Sequence, residues 1–353
     1  MKAGDGVSVR ALLIRLSFLK EWLGRDAPPA RKRALQTLKL LLLVGLFVGL
    51  FWFIPLKDVL EVITTARPGE LVVGLLLGLP VIYLNAFTLG ILTRKQGVTL
   101  SVNKLFAIQL VVKFYQLFLP GAIISSGIRW MKISPEGKSI ETLAAMAFYR
   151  LLEWFLVISV GVFWLITGIG QVEINASIIG LALIGVAVLW LGLTKGSLRI
   201  AKWLEQRPHR QSEHSVDQYM QKYLSRIVQS LAAYARLTGA ELWLLVGAGI
   251  LSDLVSLISY VFIAWSVGIE LSIANIGWMR SVFLLASLTP LTVAGGIGIR
   301  EVSFVVMMST FDISPEIALA YSLLLFCRTL YLSLLGGFVE LFDTIYARLK
   351  KSN

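Results

Sequence analysis

The feature of this sequence that most constrains its fold is a series of long apolar runs. Helices of about 20 apolar residues cross the roughly 30 Å of hydrocarbon in a bilayer. Runs suited to this lie at 39–54, 71–93, 140–167, 176–193, 241–267 and 316–339. Hydrophobic residues make up 57% of the 353 residues and charged residues only 15%, which is far more apolar than a water-soluble domain. The sequence therefore predicts an all-α polytopic membrane protein with about six full spans.

Two further apolar runs, 104–128 and 276–299, are interrupted. Each carries a proline near its middle, a glycine behind it and an arginine at its end. Proline removes a helical hydrogen bond and clashes with the preceding turn, so neither run is expected to form one continuous helix. We predict two re-entrant helical hairpins with a proline at or near each tip. Their special backbone positions are Pro120, Gly121 and Gly127 in the first run, and Pro290, Gly295, Gly296 and Gly298 in the second.

The distribution of lysine and arginine predicts the orientation. If both interrupted runs enter and leave on one side, the loops and ends on that side carry 26 Lys and Arg, and the opposite loops carry two. Basic loops stay in the cytoplasm, so both termini and the loop 195–238 are expected there. Topology alone accounts for the net charge of +12, and no nucleic-acid partner is expected.

The two interrupted runs also match each other. Ser126-Gly127-Ile128-Arg129 corresponds to Ile297-Gly298-Ile299-Arg300, with a proline nine or ten residues before each arginine. Two uninterrupted predicted spans precede each interrupted run, and one follows it. With the orientation predicted from the lysine and arginine distribution, the first of these two sets of spans begins on the cytoplasmic side and the second on the opposite side. This arrangement predicts an inverted-topology repeat. The predicted domains are a cytoplasmic amphipathic N-terminal segment (1–37), a first membrane repeat (38–168), a second membrane repeat (169–346) that contains the basic loop 195–238, and a cytoplasmic tail (347–353).

Arg129 and Arg300 are the first candidates for substrate binding. Each follows an interrupted run, so one is expected near each membrane face, and a planar guanidinium suits a phosphate group. Glu301 follows Arg300 directly. It either takes part in binding or pairs with Arg300 at the end of the hairpin.

Other charged residues lie within apolar sequence, where ionisable groups usually face a cavity. Arg150 stands three residues before Glu153, as an ion pair on one helix face would. Arg328 has no carboxylate nearby in sequence, and Asp253 is the partner we expect for it. Asp253 is also a candidate proton or cation site. For Lys113 we favour snorkelling to the cytoplasmic face, with a position in a cavity as the alternative. Gly336 and Gly337 are expected to serve close helix packing.

The stretches PLTVAGGIGIRE and FLPGAIISSGIRW resemble a flippase-like membrane family. Its best-known members form the transmembrane domain of the lysylphosphatidylglycerol synthases, the multiple peptide resistance factors. The resemblance implies a lipid translocator of a bacterial or archaeal cytoplasmic membrane, with substrates that range from anionic phospholipids to prenyl-linked or glycosylated lipids. The synthases carry a soluble domain after the membrane region, and this sequence ends at Asn353. We therefore expect the chain to be no enzyme itself.

Two other functions stay open, a membrane-embedded lipid-modifying enzyme and a scaffold for a lipid-modifying partner. No group of Cys, His or carboxylate residues has the spacing of metal ligands, so neither a metal nor a cofactor is expected. The expected partner is a membrane lipid with an anionic headgroup. A homo-oligomer and an enzyme partner also stay open.

Overall fold

The computed structural model describes residues 64–118, 122–134, 138–167, 237–287 and 299–352, with isolated positions between 180 and 234. The predicted spans 39–54 and 176–193, the N-terminal segment and most of the loop 195–238 lie outside the described residues. So do six of the predicted hairpin positions, which are Pro120, Gly121, Pro290, Gly295, Gly296 and Gly298.

The elements of the described ranges are all α-helices. They are α1 (Pro68–Leu76), α2 (Gly78–Lys95), α3 (Val102–Phe118), α4 (Ala122–Ile133), α5 (Ser139–Thr167), α6 (Gly239–Ser266), α7 (Ile273–Ser287), α8 (Ile299–Ser309) and α9 (Pro315–Ser352). Four helical segments within these ranges are long and apolar enough to cross a membrane: Pro68–Lys95, Ser139–Thr167, Gly239–Ser266 and Pro315–Asp343. They confirm long apolar helices at the spans predicted at 71–93, 140–167, 241–267 and 316–339.

The first of these segments is interrupted at Leu77, which the sequence analysis did not anticipate. Helix α1 ends at Leu76, α2 begins at Gly78, and Leu77 between them keeps a helical hydrogen bond from its N–H to the Val73 carbonyl (3.1 Å). Pro80 cannot donate to the carbonyl of Leu76, so the regular ladder is interrupted at this point.

The described parts of both interrupted runs are helical. In the first run, α3 ends at Phe118 and α4 begins at Ala122; in the second, α7 ends at Ser287, and α8 begins at the last residue of the run, Ile299. Helix α3 packs on α4, and α7 packs on α8. The residues around Pro120 and Pro290 lie outside the described ranges, so a break at each proline stays a prediction. The depth of these helices in a bilayer and the direction of the chain ends stay predictions.

The helices fall into two corresponding series, α1–α5 and α6–α9. Pro68 precedes Val102 by the same number of residues as Gly239 precedes Ile273, and these four residues begin α1, α3, α6 and α7. Gly97 and Gly268 stand at corresponding positions and have φ values of 71° and 78°, a backbone conformation that glycine adopts without strain. The packing is reciprocal as well, because α3 packs on α9, α7 packs on α5, and α2 packs on α6.

Helix α6 runs antiparallel to the α1–α2 segment. At one end, the Arg67 N–H donates to the Ser266 carbonyl (2.9 Å). At the other end, Lys95 forms an ion pair with Glu241 (2.8 Å). The two series therefore meet along a pair of helices of opposite direction.

Glycines allow the helices of the two series to approach closely. A Cβ atom on Gly336 would collide with the backbone of Leu110, and one on Gly337 would lie 2.8 Å from the Phe114 ring. These contacts between α9 and α3 confirm the packing role expected for both glycines. Their counterpart between α5 and α7 is Gly161, whose added Cβ would lie 2.7 Å from the Cβ of Ser281.

Candidate functional site

A cavity of about 320 Å³ lies where the two series meet. Helices α2, α3, α5, α6, α7, α8 and α9 all contribute to its lining. Because these helices come from both series, the cavity exists only when the two halves are assembled.

The lining repeats from one series to the other. On α2 the lining residues Gly78, Val81, Ile82 and Asn85 have the same spacing as Gly249, Ser252, Asp253 and Ser256 on α6. On α5 the residues Tyr149, Leu152, Glu153 and Leu156 have the same spacing as Leu325, Arg328, Thr329 and Leu332 on α9. Corresponding faces of corresponding helices therefore surround one central space. In this register Arg328 corresponds to Leu152.

The cavity carries more cationic than anionic side chains. Lys113, Arg280, Arg300 and Arg328 line it, together with the two carboxylates of Glu153 and Asp253. Ionisable groups placed among apolar membrane helices are costly and commonly mark a path for a polar ligand.

Asp253 pairs with Arg280, not with Arg328 as the sequence analysis expected. The Nη2 of Arg280 donates to the Asp253 Oδ1 (2.8 Å), and the Nε of Arg280 donates to the Ser256 Oγ (3.3 Å). The pair is buried, with 5% of the Arg280 side chain and 7% of the Asp253 side chain exposed. Asp253 and Ser256 stand one turn apart on α6, where they hold an arginine projected from α7. The expectation failed because the pairing joins two helices whose contact the sequence does not encode locally.

Arg328 lies instead on the ring of Tyr260, with 5.7 Å between its Cζ and the ring centroid. Its Nε is buried and has no hydrogen-bond partner among the described residues. A Cβ on Gly78 would approach this Nε to 3.2 Å, so the glycine at the start of α2 provides the space that Arg328 occupies.

Lys113 lines the cavity, which corrects the expectation that it snorkels to the cytoplasmic face. Its backbone carbonyl accepts a hydrogen bond from the Ser333 Oγ (3.0 Å) on α9. Its ammonium group interacts electrostatically with Arg129, Arg328 and Glu153. The contact between α3 and α9 therefore fixes the backbone that carries Lys113 at the central space.

Arg300 pairs with the residue that follows it. Its Nη2 lies 2.8 Å from the Glu301 Oε1, and its Nε donates to the Ser322 Oγ (3.2 Å). Its Cζ lies 5.2 Å from the centroid of the Phe326 ring. The guanidinium is only 3% exposed, yet the residue also borders the cavity, so pairing with Glu301 and a position at the candidate site occur together.

Arg129 and Arg150 lie outside the cavity lining. Arg150 forms the expected ion pair with Glu153 (2.7 Å). Arg129 interacts electrostatically with Tyr149 and Glu153, which do line the cavity, and its buried Nε has no hydrogen-bond partner among the described residues. Gly127, two residues earlier, has open space around its Cβ position.

Sequence reasoning missed Arg280. It lies within the run 276–299, which was interpreted for its proline and glycines, although an arginine embedded in apolar sequence was the signal used for Arg150 and Arg328. The same criterion, an arginine within an apolar run, identifies Arg280 as well. Within the described residues no group of three or more His, Cys, Asp or Glu could hold a metal ion.

The apolar spanning helices, the two corresponding series and the charged cavity between them define a polytopic membrane protein with a central polar site. The sequence model of one family, described as the lysylphosphatidylglycerol synthase TM region, matches residues 36–337. The chain belongs to this family of membrane domains. Comparisons with curated proteins and with solved structures gave no match.

Proposed function

We propose that this protein moves a lipid with an anionic headgroup between the two leaflets of a membrane. The observation that carries the proposal is the cavity at the junction of the two series, where Lys113 and Arg328 add positive charge to an apolar surround. A headgroup that crosses a bilayer must exchange its hydration for other polar contacts, because unsatisfied charge in hydrocarbon is costly. Family membership supports a lipid as the ligand.

The proposal treats the two series as an inverted-topology repeat. Its support is the common spacing of the helix starts and lining residues, together with the antiparallel pairing of α6 with the α1–α2 segment. In transporters built from such repeats, the substrate binds at the repeat interface and broken helices contribute to the site. The paired helices α3–α4 and α7–α8 take the part of the broken helices, as two re-entrant hairpins.

In this proposal Arg129 and Arg300 contact the anionic headgroup near opposite openings, the first on the cytoplasmic side and the second on the outer side. Both follow the breaks of their runs at corresponding positions. The protein would lie in the cytoplasmic membrane of a prokaryote, with both termini in the cytoplasm. The substrate is an anionic phospholipid or a prenyl-linked or glycosylated lipid.

The test is lipid movement in reconstituted vesicles. Purified protein is placed in liposomes that contain trace fluorescent phosphatidylglycerol, fluorescent phosphatidylcholine or a fluorescent prenyl phosphate, and a membrane-impermeant quencher reports the outer leaflet. We expect protein-dependent movement of an anionic lipid and slower movement of phosphatidylcholine. Mass spectrometry of the extracted lipids separates the alternatives: an altered lipid mass would favour an enzyme, whereas no movement and no altered mass would favour a scaffold. The absence of protein-dependent movement, with or without an altered lipid mass, would refute translocation.

A further inference from the structure

Two guanidinium groups from different helices lie against one aromatic ring in the cavity. The Cζ atoms of Arg280 and Arg328 are 5.6 Å and 5.7 Å from the centroid of the Tyr260 ring. Each is attracted by the π-electrons of the ring, while the two cations repel each other. Helices α6, α7 and α9 thus bring together two like charges within apolar surroundings, an arrangement that an anion between them would stabilise.

Each guanidinium has a buried donor that the described residues leave unsatisfied. Asp253 and Ser256 hold the Nη2 and Nε of Arg280, but its Nη1 has no hydrogen-bond partner. The Nε of Arg328 has none either. Buried donors without acceptors are uncommon in folded proteins and call for an explanation, which a bound oxyanion would supply.

The electrostatic surroundings also favour an anion. Lys113 interacts with Arg328 and adds a third positive charge from α3. The carboxylate that contacts this group through a hydrogen bond is Asp253, which bonds Arg280 through Oδ1 only, since its buried Oδ2 has no partner among the described residues. Glu153 also interacts with Lys113, but it is already paired with Arg150. These two carboxylates do not balance the four cations of Lys113, Arg150, Arg280 and Arg328, so the group keeps a positive surplus.

We propose that Arg280 and Arg328, which both line the cavity and lie near the ring of Tyr260, bind a phosphate group of the ligand. Phosphate offers several oxygen acceptors, and guanidinium is the side chain whose fixed array of donors suits it. Asp253 is a positioning residue: it orients Arg280, and its negative charge weakens the binding of the anion. The inference rests on the proposed function for the lipid that carries the phosphate, but the site is tested by binding alone.

A purely structural role for the pair predicts a different pattern. If the pair only supports the fold, the protein loses stability when either Arg280 or Asp253 is replaced. Anion binding is then either unaffected by both replacements or lost in both. A binding site with a competing carboxylate predicts opposite effects. Removing the cation weakens anion binding, whereas removing the carboxylate strengthens it.

The experiment is isothermal titration calorimetry on the detergent-solubilised full chain in phosphate-free buffer. The probes are short-chain phosphatidylglycerol, inorganic phosphate and, as a control without phosphate, dioctanoylglycerol. We expect binding of a phosphate-bearing probe. We expect Arg280→Gln and Arg328→Gln each to weaken it about tenfold to a hundredfold, the range for a charge-assisted hydrogen bond. Asp253→Asn keeps an acceptor for Arg280 and should strengthen binding. The matched control is Arg94→Gln, at the exposed end of α2.

A folding defect is separated from a binding defect by a double variant. If Arg280→Gln does not fold because Asp253 is left unpaired, Asp253→Asn with Arg280→Gln removes both charges. It should bind the probe at least about tenfold more weakly than Asp253→Asn alone. Binding of phosphatidylglycerol but not of inorganic phosphate assigns the site to a lipid phosphate, and the reverse assigns it to a soluble phosphate.

Three results would overturn the site: no binding of either phosphate probe to the wild type, unchanged affinity in both arginine variants, or weaker binding in Asp253→Asn. These are distinct from failure of the proposed function. Vesicles without lipid movement but with arginine-dependent binding would refute translocation and keep the site. If the Arg280 and Arg328 variants bind the probes and move lipid as the wild type does, the site is refuted and translocation is kept.

Discussion

Replacement of Gly336 by alanine tests the contact that joins the two series at α3 and α9. A Cβ at this position would collide with the backbone carbonyl of Leu110. A backbone group cannot move aside as the end of a flexible side chain can, so the two helices must separate. Association of membrane helices depends on close van der Waals packing at such small residues, and the separation would also weaken the hydrogen bond from the Ser333 Oγ to the Lys113 carbonyl (3.0 Å).

The magnitude follows from two opposing terms. Forced insertion of a methyl group into a packed interior costs about 1–3 kcal/mol. Alanine returns up to about 1 kcal/mol because its helix propensity exceeds that of glycine. The two terms leave a net destabilisation of about 0–3 kcal/mol for Gly336→Ala, and the collision with backbone places the expected value in the upper part of this range.

The matched control is Gly247→Ala on α6, where a Cβ has no neighbour within 4 Å. This variant gains the propensity term without a collision, so its stability should rise or stay unchanged. The assay is unfolding of the purified protein by SDS in mixed micelles, followed by far-UV circular dichroism. Equal stability of the two variants, or a more stable Gly336→Ala, would refute the packing argument.

Three further predictions concern the cap of α6, the topology and the Arg300 contact. Thr238→Ala should lower stability by about 1 kcal/mol in the same unfolding assay, because it removes the side-chain cap on the first turn of α6; an unchanged midpoint would show that the cap contributes nothing. In a Cys327→Ser background, a membrane-impermeant thiol reagent added to intact cells should label a cysteine at Ser272 and spare one at Ser212, and equal labelling would contradict the threading. Arg300→Lys should slow lipid movement with little loss of stability, since an ammonium cannot donate in the same fork geometry; a misfolded variant would instead assign Arg300 a structural role.

The long apolar helices were predictable because they depend on local sequence. Hydropathy located the four helical segments long enough to span a membrane within a few residues. Pro80 indicates the interruption of the regular helix at Leu77, but a proline near the start of an otherwise apolar run did not change the interpretation of that run as one span.

The charge pairs were predictable only where they are local. The pair of Arg150 with Glu153 follows from helical spacing, and the pair of Arg300 with Glu301 joins adjacent residues. The partner of Asp253 depends on how α6 and α7 pack, which hydropathy does not encode. The position of Lys113 depends in the same way on the contact between α3 and α9, whose closeness is set by Gly336.

Blocking the central cavity tests the account's main claim most directly. Thr329 lines the cavity on α9 and is partly exposed, whereas Leu334 on the same helix is 42% exposed and faces away from the cavity lining. The measurement compares movement of fluorescent phosphatidylglycerol in vesicles that contain the wild type, Thr329→Trp or Leu334→Trp. We expect the wild type and Leu334→Trp to move the lipid at similar rates and Thr329→Trp to be strongly slowed, while all three elute as folded protein. Lipid movement by Thr329→Trp at the wild-type rate would contradict passage through this cavity.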